Sequence, residues 1–160
     1  MRRALVLTVS DGVSAGVRED ESGAALQARL TAIGYAVERG LVPDDVAAIG
    51  DALGAGAAGH DLIVTTGGTG LTPRDVTPQA TARVIDYEVP GLAEAMRASG
   101  RTITPLADLS RGLVGVIGRT LVVNVPGSPK GAIESFAAVE PVLDHALDTL
   151  AGPFDHGRAG

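Results

Sequence analysis

Short runs rich in Val, Ile and Leu alternate with segments of helical period along most of this chain, and that alternation restricts its fold more than any other feature. A short apolar run without polar alternation is a strand buried on both faces, and a helix-length segment between two such runs is long enough for a crossover. The pattern therefore predicts α/β architecture, with helices packed on a mostly parallel sheet. At 160 residues and 45% apolar content the chain can fill one core, and a second independent domain is not expected. Residues 1–152 are read as that domain and 153–160 as a flexible tail, because Gly152 to Gly160 carries Gly, Pro and charge without periodicity.

The first strand is expected at Ala4 to Val9, followed by a polar loop from Ser10 to Glu21. Leu26, Leu30 and Ile33 then share one face of a helix that Gly34 closes with a left-handed cap. Tyr35 to Val42 reads as a second strand, and Val46, Ile49 and Leu53 line a second helix. Leu62 to Thr66 is a third strand. Thr77 and Pro78 supply an N-cap and a first-turn proline for a helix running to about Asp86. Pro90 forces a break, and Leu92 to Ala98 reads as a short helix ended by Gly100. Leu113 to Ile117 and Thr120 to Val125, separated by Gly118 and Arg119, carry a hairpin signature. The last helix bears Ile133, Phe136, Val139, Leu143, Leu147 and Leu150, with Pro141 predicting a kink or two consecutive helices.

Several function classes are excluded by composition. A net charge of −6 without a Lys/Arg run disfavours a protein that neutralises phosphates along a duplex, and 2% aromatic content disfavours single-strand stacking platforms. With no Cys, disulfide frameworks, thiolate zinc sites and thiol nucleophiles are ruled out. No window approaches the roughly 18 apolar residues that span a bilayer, and the N-terminal apolar stretch is too short for a signal peptide. A soluble, cytoplasmic protein with no nucleic-acid or membrane partner is expected.

Three strand ends feed small polar loops: Ser10-Asp11-Gly12, Gly67 to Asp75, and Gly127 to Lys130. Ligands of open α/β sheets gather at the carboxyl ends of strands, so these loops are candidates for one shared site. In TTGGTGLTPRD, Thr65 to Asp75, successive glycines Gly67, Gly68 and Gly70 let backbone N–H groups converge on an anion, and Thr69 adds a hydroxyl. The segment lacks the Lys-Ser/Thr pair of a P-loop and the spacing of a dinucleotide fingerprint, and a ligand-free tight turn is the alternative reading. That alternative leaves Arg74 and Asp75 unexplained. Asp44 and Asp75 each follow a proline closely near a helix start; Asp44 or Asp45 also suits an N-cap, whereas Thr77-Pro78 already supplies the cap beside Asp75. Two carboxylates beside bound phosphates would repel them by a few kcal/mol per close pair at an effective dielectric near ~20, more than a helix N-terminus returns, and Mg²⁺ bridging carboxylate and phosphate oxygens resolves the conflict. His60, His145 and His156 have no metal-spaced partner, and no GxSxG elbow supports a serine nucleophile. Lys130, the only lysine, stands at a helix start where it suits an anion contact or a solvated position.

DLIVTTGGTGLTPRDVTPQAT (Asp61 to Thr81), the Glu88-Val89-Pro90-Gly91 turn and NVPGSPKGAIES (Asn124 to Ser135) resemble the Mog/MoaB molybdopterin-binding proteins of molybdenum cofactor biosynthesis, over Leu5 to about Gly152. The resemblance implies a three-layer α/β/α sandwich, usually assembled as a homotrimer. For Mog-type members it implies Mg²⁺-dependent adenylylation, in which ATP and molybdopterin give adenylylated molybdopterin and pyrophosphate. Asp44 and Asp75 match the family's two functional aspartates and would hold the metal. Ser10, Asp11 and the loop Gly67, Gly68, Thr69, Gly70 would bind nucleotide and phosphate, Ser128 and Lys130 would contact the pterin side, and Arg74 would screen charge. Hand-off to a molybdenum-insertion protein belongs to the same picture. Three other readings stay open: a MoaB-like protein that holds the pterin without adenylylating it, a trimeric scaffold, and a relative of the CinA-like domain.

Overall fold

In a computed structural model, which describes residues 1–154, the chain folds around one six-stranded sheet. The strands are β1 (Arg3–Val9), β2 (Ala36–Val42), β3 (Leu62–Thr66), β4 (Tyr87–Glu88), β5 (Val114–Ile117) and β6 (Thr120–Val125), in the order β2-β1-β3-β6-β5-β4. β1 pairs in parallel with β2 and β3, and β3 with β6; β5 and β4 add antiparallel at one edge. Helices α1 (Asp11–Ser14), α2 (Glu21–Ala32), α3 (Val46–Ala57), α4 (Thr77–Val84), α5 (Pro90–Arg101) and α6 (Pro129–Ala151) connect and cover them.

Alternation along the strands divides the core. Ala4, Val6, Leu62, Val64, Leu121 and Val123 pack on one face against α2, α5 and α6 through Leu26, Leu30, Met96, Phe136 and Val139. Leu5, Leu7, Val9, Ile63 and Val122 pack on the other face against α3 and α4 through Ile49, Leu53 and Ala80. The expected sandwich of two helical layers around a mostly parallel sheet is thus the observed one. Because the chain runs outward from β1 to β2 and returns to β3 on β1's other side, the connections leaving β1 and β3 diverge to opposite faces. A crevice opens there, at the carboxyl ends of the strands.

The hairpin expected at Gly118-Arg119 forms, with Gly118 at φ +60, and Gly34 caps α2 at φ +100. Other expectations are corrected. The stretch from Ser10 to Glu21 is not all loop, because the Ser10 hydroxyl caps Val13 N–H and starts the short α1. Ile33 lies beyond the last turn of α2 and is 37% exposed, so only Leu26 and Leu30 of that trio are core. Thr77 is not an N-cap: it sits within the first turn of α4, buried, and its hydroxyl donates to the Gly67 carbonyl (2.9 Å). Pro90 opens α5 rather than only ending what precedes it, and that helix continues past Gly100 to Arg101. The strand β4 and a 3₁₀ turn over Pro105–Leu109 were not foreseen, both being too short to show a period. Pro141 is accommodated within one continuous α6. Of the expected tail, residues 155–160 lie outside the described residues.

Candidate functional site

The crevice above β1, β3 and β6 is a cleft of about 450 Å³, and its wall includes Ser10 after β1, Thr66, Gly67 and Gly68 at the end of β3, and Gly127 and Ser128 after β6. The three loops singled out by sequence therefore converge. Asp44, on the connection from β2 to α3, and Asp75, on the loop before α4, complete the same wall.

Glycine is required in the loop by both backbone and space. Gly67 and Gly68 adopt φ +104 and +70, the left-handed region where a Cβ is strained. A Cβ on Gly67 would stand 2.3 Å from the Val9 carbonyl oxygen, and one on Gly68 would stand 2.3 Å from Thr77 Oγ1 and 3.3 Å from Asp44 Oδ1. One on Gly70 would meet Asp75 Oδ2 at 2.9 Å. Both aspartates thus lie directly against the glycine loop.

Asp44 is held by a reciprocal clasp with Asp11: Asp11 N–H donates to Asp44 Oδ2 (2.9 Å), and Asp44 N–H donates to Asp11 Oδ1 (3.0 Å). Arg74 donates twice to Asp11 Oδ2 (3.0 and 2.8 Å) and once to the Asp44 carbonyl (3.1 Å). The two acids nevertheless shift in opposite directions. Asp11 is lowered below its ordinary pKa by the Asp44 N–H and then by Arg74. Asp44 is raised, first by burial and then by repulsion from the Asp11 and Asp75 carboxylates, with the Asp11 N–H opposing. Asp75 accepts from Thr72 N–H (3.0 Å) and the Thr72 hydroxyl (2.8 Å), which folds the TPRD segment into a tight turn. Asp45, not Asp44, caps α3 by accepting from Ala48 N–H (2.8 Å), which leaves Asp44 free for the cleft.

Not every expected residue reaches the wall. Asp11 and Arg74 stand behind it in the network just described, Thr69 and Gly70 do not line it, and Lys130 is 81% exposed, 3.7 Å from Glu134 one helical turn away. Ser128 caps α6 through Gly131 N–H (3.1 Å) while facing the cleft. His145 lies exposed on α6.

Residues 5–145 match the family described as the probable molybdopterin binding domain. The chain belongs to this family of molybdenum cofactor biosynthesis. A relative from Helicobacter pylori (strain J99) named molybdopterin adenylyltransferase is 36% identical to this family member over 159 residues, covering 93% of the chain and 88% of the relative. A molybdenum cofactor biosynthesis bifunctional protein from Synechococcus elongatus is 41% identical across 96% of the chain, and the chain spans 49% of that longer protein. Among solved structures, the molybdopterin biosynthesis enzyme MoaB of Thermus thermophilus superposes with a TM-score of 0.85 at 51% identity, covering 95% of this chain and 98% of that one.

Two residues of this family member escaped sequence reasoning. Arg111, just before β5, is marked by neither spacing nor charge pattern, yet its backbone N–H donates to the Thr69 carbonyl (3.0 Å) and its guanidinium to the carbonyls of Gly70 (2.9 and 2.8 Å) and Asp75 (2.7 Å). It clamps both ends of the TGLTPRD turn. Asp20 caps α2 through Gly23 N–H (3.0 Å), accepts from Thr8 Oγ1 (2.8 Å) and pairs with Arg39, forming the far wall of the cleft. Its signal was available, as an Asp three residues before Gly23 at a helix start.

Proposed function

We propose that this protein is a molybdopterin adenylyltransferase of the cytoplasm, transferring AMP from ATP to the phosphate of molybdopterin and releasing pyrophosphate. The observation that carries this reading is the placement of Asp44 and Asp75 in one wall, each against the glycine loop. A phosphate monoester, largely dianionic at neutral pH, is its own nucleophile, so a site without Ser, Cys or His in a nucleophilic arrangement suffices. One phosphate oxygen of the pterin attacks the α-phosphorus of ATP in line, the new P–O bond forms as the bond to the oxygen bridging to the β-phosphate breaks, and pyrophosphate leaves with that electron pair.

The residues supply alignment and charge screening. Gly67 and Gly68 let backbone approach the phosphates closely, with Ser10 and Ser128 contributing hydroxyls beside them. Asp11 fixes Asp44, while Arg74 offsets the charge of Asp11. Asp44 and Asp75 would hold Mg²⁺, and their hard oxygen donors fit it: Asp44 is destabilised as an anion by burial and by neighbouring carboxylates, a condition a cation relieves. When bound, that ion screens the negative charge of the two reactants. Among the described residues no group of three or more His, Asp or Glu gathers to hold a metal, so the remaining ligands would be phosphate and water oxygens. No helix among the described residues is long and apolar enough to cross a membrane. Assembly as a homotrimer and hand-off of product to a molybdenum-insertion protein belong to the same proposal.

The alternative is a MoaB-like protein that holds the pterin without adenylylating it. Incubation of the purified protein with MgATP and molybdopterin separates the two. Stoichiometric excess of pyrophosphate over protein supports the enzyme; retained pterin without pyrophosphate supports the carrier.

A further inference from the structure

Among the described residues, the wall of the cleft carries five carboxylates, Glu19, Asp20, Glu21, Asp44 and Asp75, and a single cation, Arg18. Asp20 is already paired with Arg39, and Arg74 is already bound to Asp11 behind the wall. Arg18 enters no ion pair or hydrogen bond among the described residues, although Glu19 and Asp20 follow it directly. Its stem is nonetheless packed: a Cβ on Gly12 would meet Arg18 Cδ at 2.4 Å and Cγ at 3.1 Å. Glycine in α1 thus leaves room for the arginine to lie across that helix toward the cleft.

A phosphorylated ligand entering so acidic a wall meets repulsion at short range, and a guanidinium there that none of the neighbouring carboxylates engages is open to the ligand's phosphate oxygens. Its planar fork of N–H donors suits them, and an exposed guanidinium gives up little hydration to bind. We propose that Arg18 is a binding residue of this cleft, contacting a phosphate of one of the two reactants and selecting for phosphorylated over unphosphorylated ligand. The inference rests on the reading of the cleft as a site for phosphate-bearing molecules.

Calorimetric titration of the wild-type protein, Arg18→Gln and Arg18→Lys with MgATP alone and with molybdopterin alone tests it. Arg18→Gln is expected to lose about ten-fold in affinity for one of the two, the size of one charge-assisted contact, with its thermal midpoint unchanged. Arg18→Lys keeps the charge and recovers part of the loss. The ligand affected identifies whose phosphate Arg18 touches. Equal affinities in wild type and Arg18→Gln for both ligands overturn the inference, as does a loss accompanied by a lower thermal midpoint, or a loss that lysine leaves untouched. Wild-type protein that binds neither ligand overturns the functional reading itself, a result distinct from the others.

Discussion

Replacing Gly68 by alanine is the sharpest perturbation of the loop that needs no ligand to interpret. At φ +70 an alanine costs about 1–2 kcal/mol for left-handed backbone. Its Cβ would also stand 2.3 Å from Thr77 Oγ1, a hydroxyl that is buried and donates to the Gly67 carbonyl at 2.9 Å. Displacing that hydroxyl leaves a buried carbonyl short of a donor, for a further ~1–3 kcal/mol. The stiffer unfolded chain returns roughly 0.4–1 kcal/mol, so a net loss of about 2–4 kcal/mol is expected, against a total stability on the order of 5–15 kcal/mol for a domain. Gly54, exposed within α3 and with nothing within 4 Å of an added Cβ, provides the matched control. There the same substitution should gain about 0.5–1 kcal/mol. Urea unfolding of both variants, with unchanged slopes, measures the two numbers. A Gly68→Ala stability within about 0.5 kcal/mol of wild type, or a loss of equal size in Gly54→Ala, would refute the steric reasoning.

Two further outcomes follow from the titrating groups. Asp44 has a raised pKa, so its ionised form is disfavoured by folding, and the associated stability is present below the unfolded pKa and lost as pH rises through the folded one. Asp44→Asn should therefore raise the thermal midpoint of metal-free protein at pH 7, with the gap to wild type closing toward pH 3 in a calorimetric series, while pyrophosphate release is lost. Tyr35 is 6% exposed, its hydroxyl has no partner among the described residues, and burial pushes it up to about 12 from the ordinary 10. The raised value gives stability below pH 10 that is lost as pH rises through 12, on the order of 3 kcal/mol in full. Tyr35→Phe should unfold at least as late as wild type in urea at neutral pH and should lose less stability between pH 10 and 12; an identical alkaline decline in both proteins would contradict this.

The strands and the convergence of their loops were legible because burial on two faces leaves a direct record in Val, Ile and Leu runs, and because a parallel sheet brings its carboxyl ends together. What escaped depended on long-range geometry. Thr77 looks like a cap in sequence, since a Thr-Pro pair at a helix start usually is one, but the cap position falls to Val76, so Thr77 is already in the first turn and its hydroxyl donates to a carbonyl ten residues earlier. Arg111 lies 36 residues from Asp75, and no local pattern announces a side chain that serves the carbonyls of a distant turn. Asp44 and Asp45 are indistinguishable as neighbours; only the fold assigns capping to one and the cleft to the other. Lys130 shows the converse, since a helix-start position drew attention to a side chain that points to Glu134 and solvent.

In the proposed function, two aspartates against the glycine loop make phosphoryl-group chemistry possible in an acidic cleft. Pyrophosphate release from ATP and molybdopterin, measured for wild type, Asp44→Ala and Asp75→Asn across a magnesium titration, tests it most directly. Magnesium-dependent turnover is expected in wild type and a loss of more than about 100-fold in each variant, the consequence of removing roughly 3 kcal/mol of charge stabilisation, with molybdopterin still bound. Turnover in both variants equal to wild type, or wild-type turnover indifferent to magnesium, would contradict it.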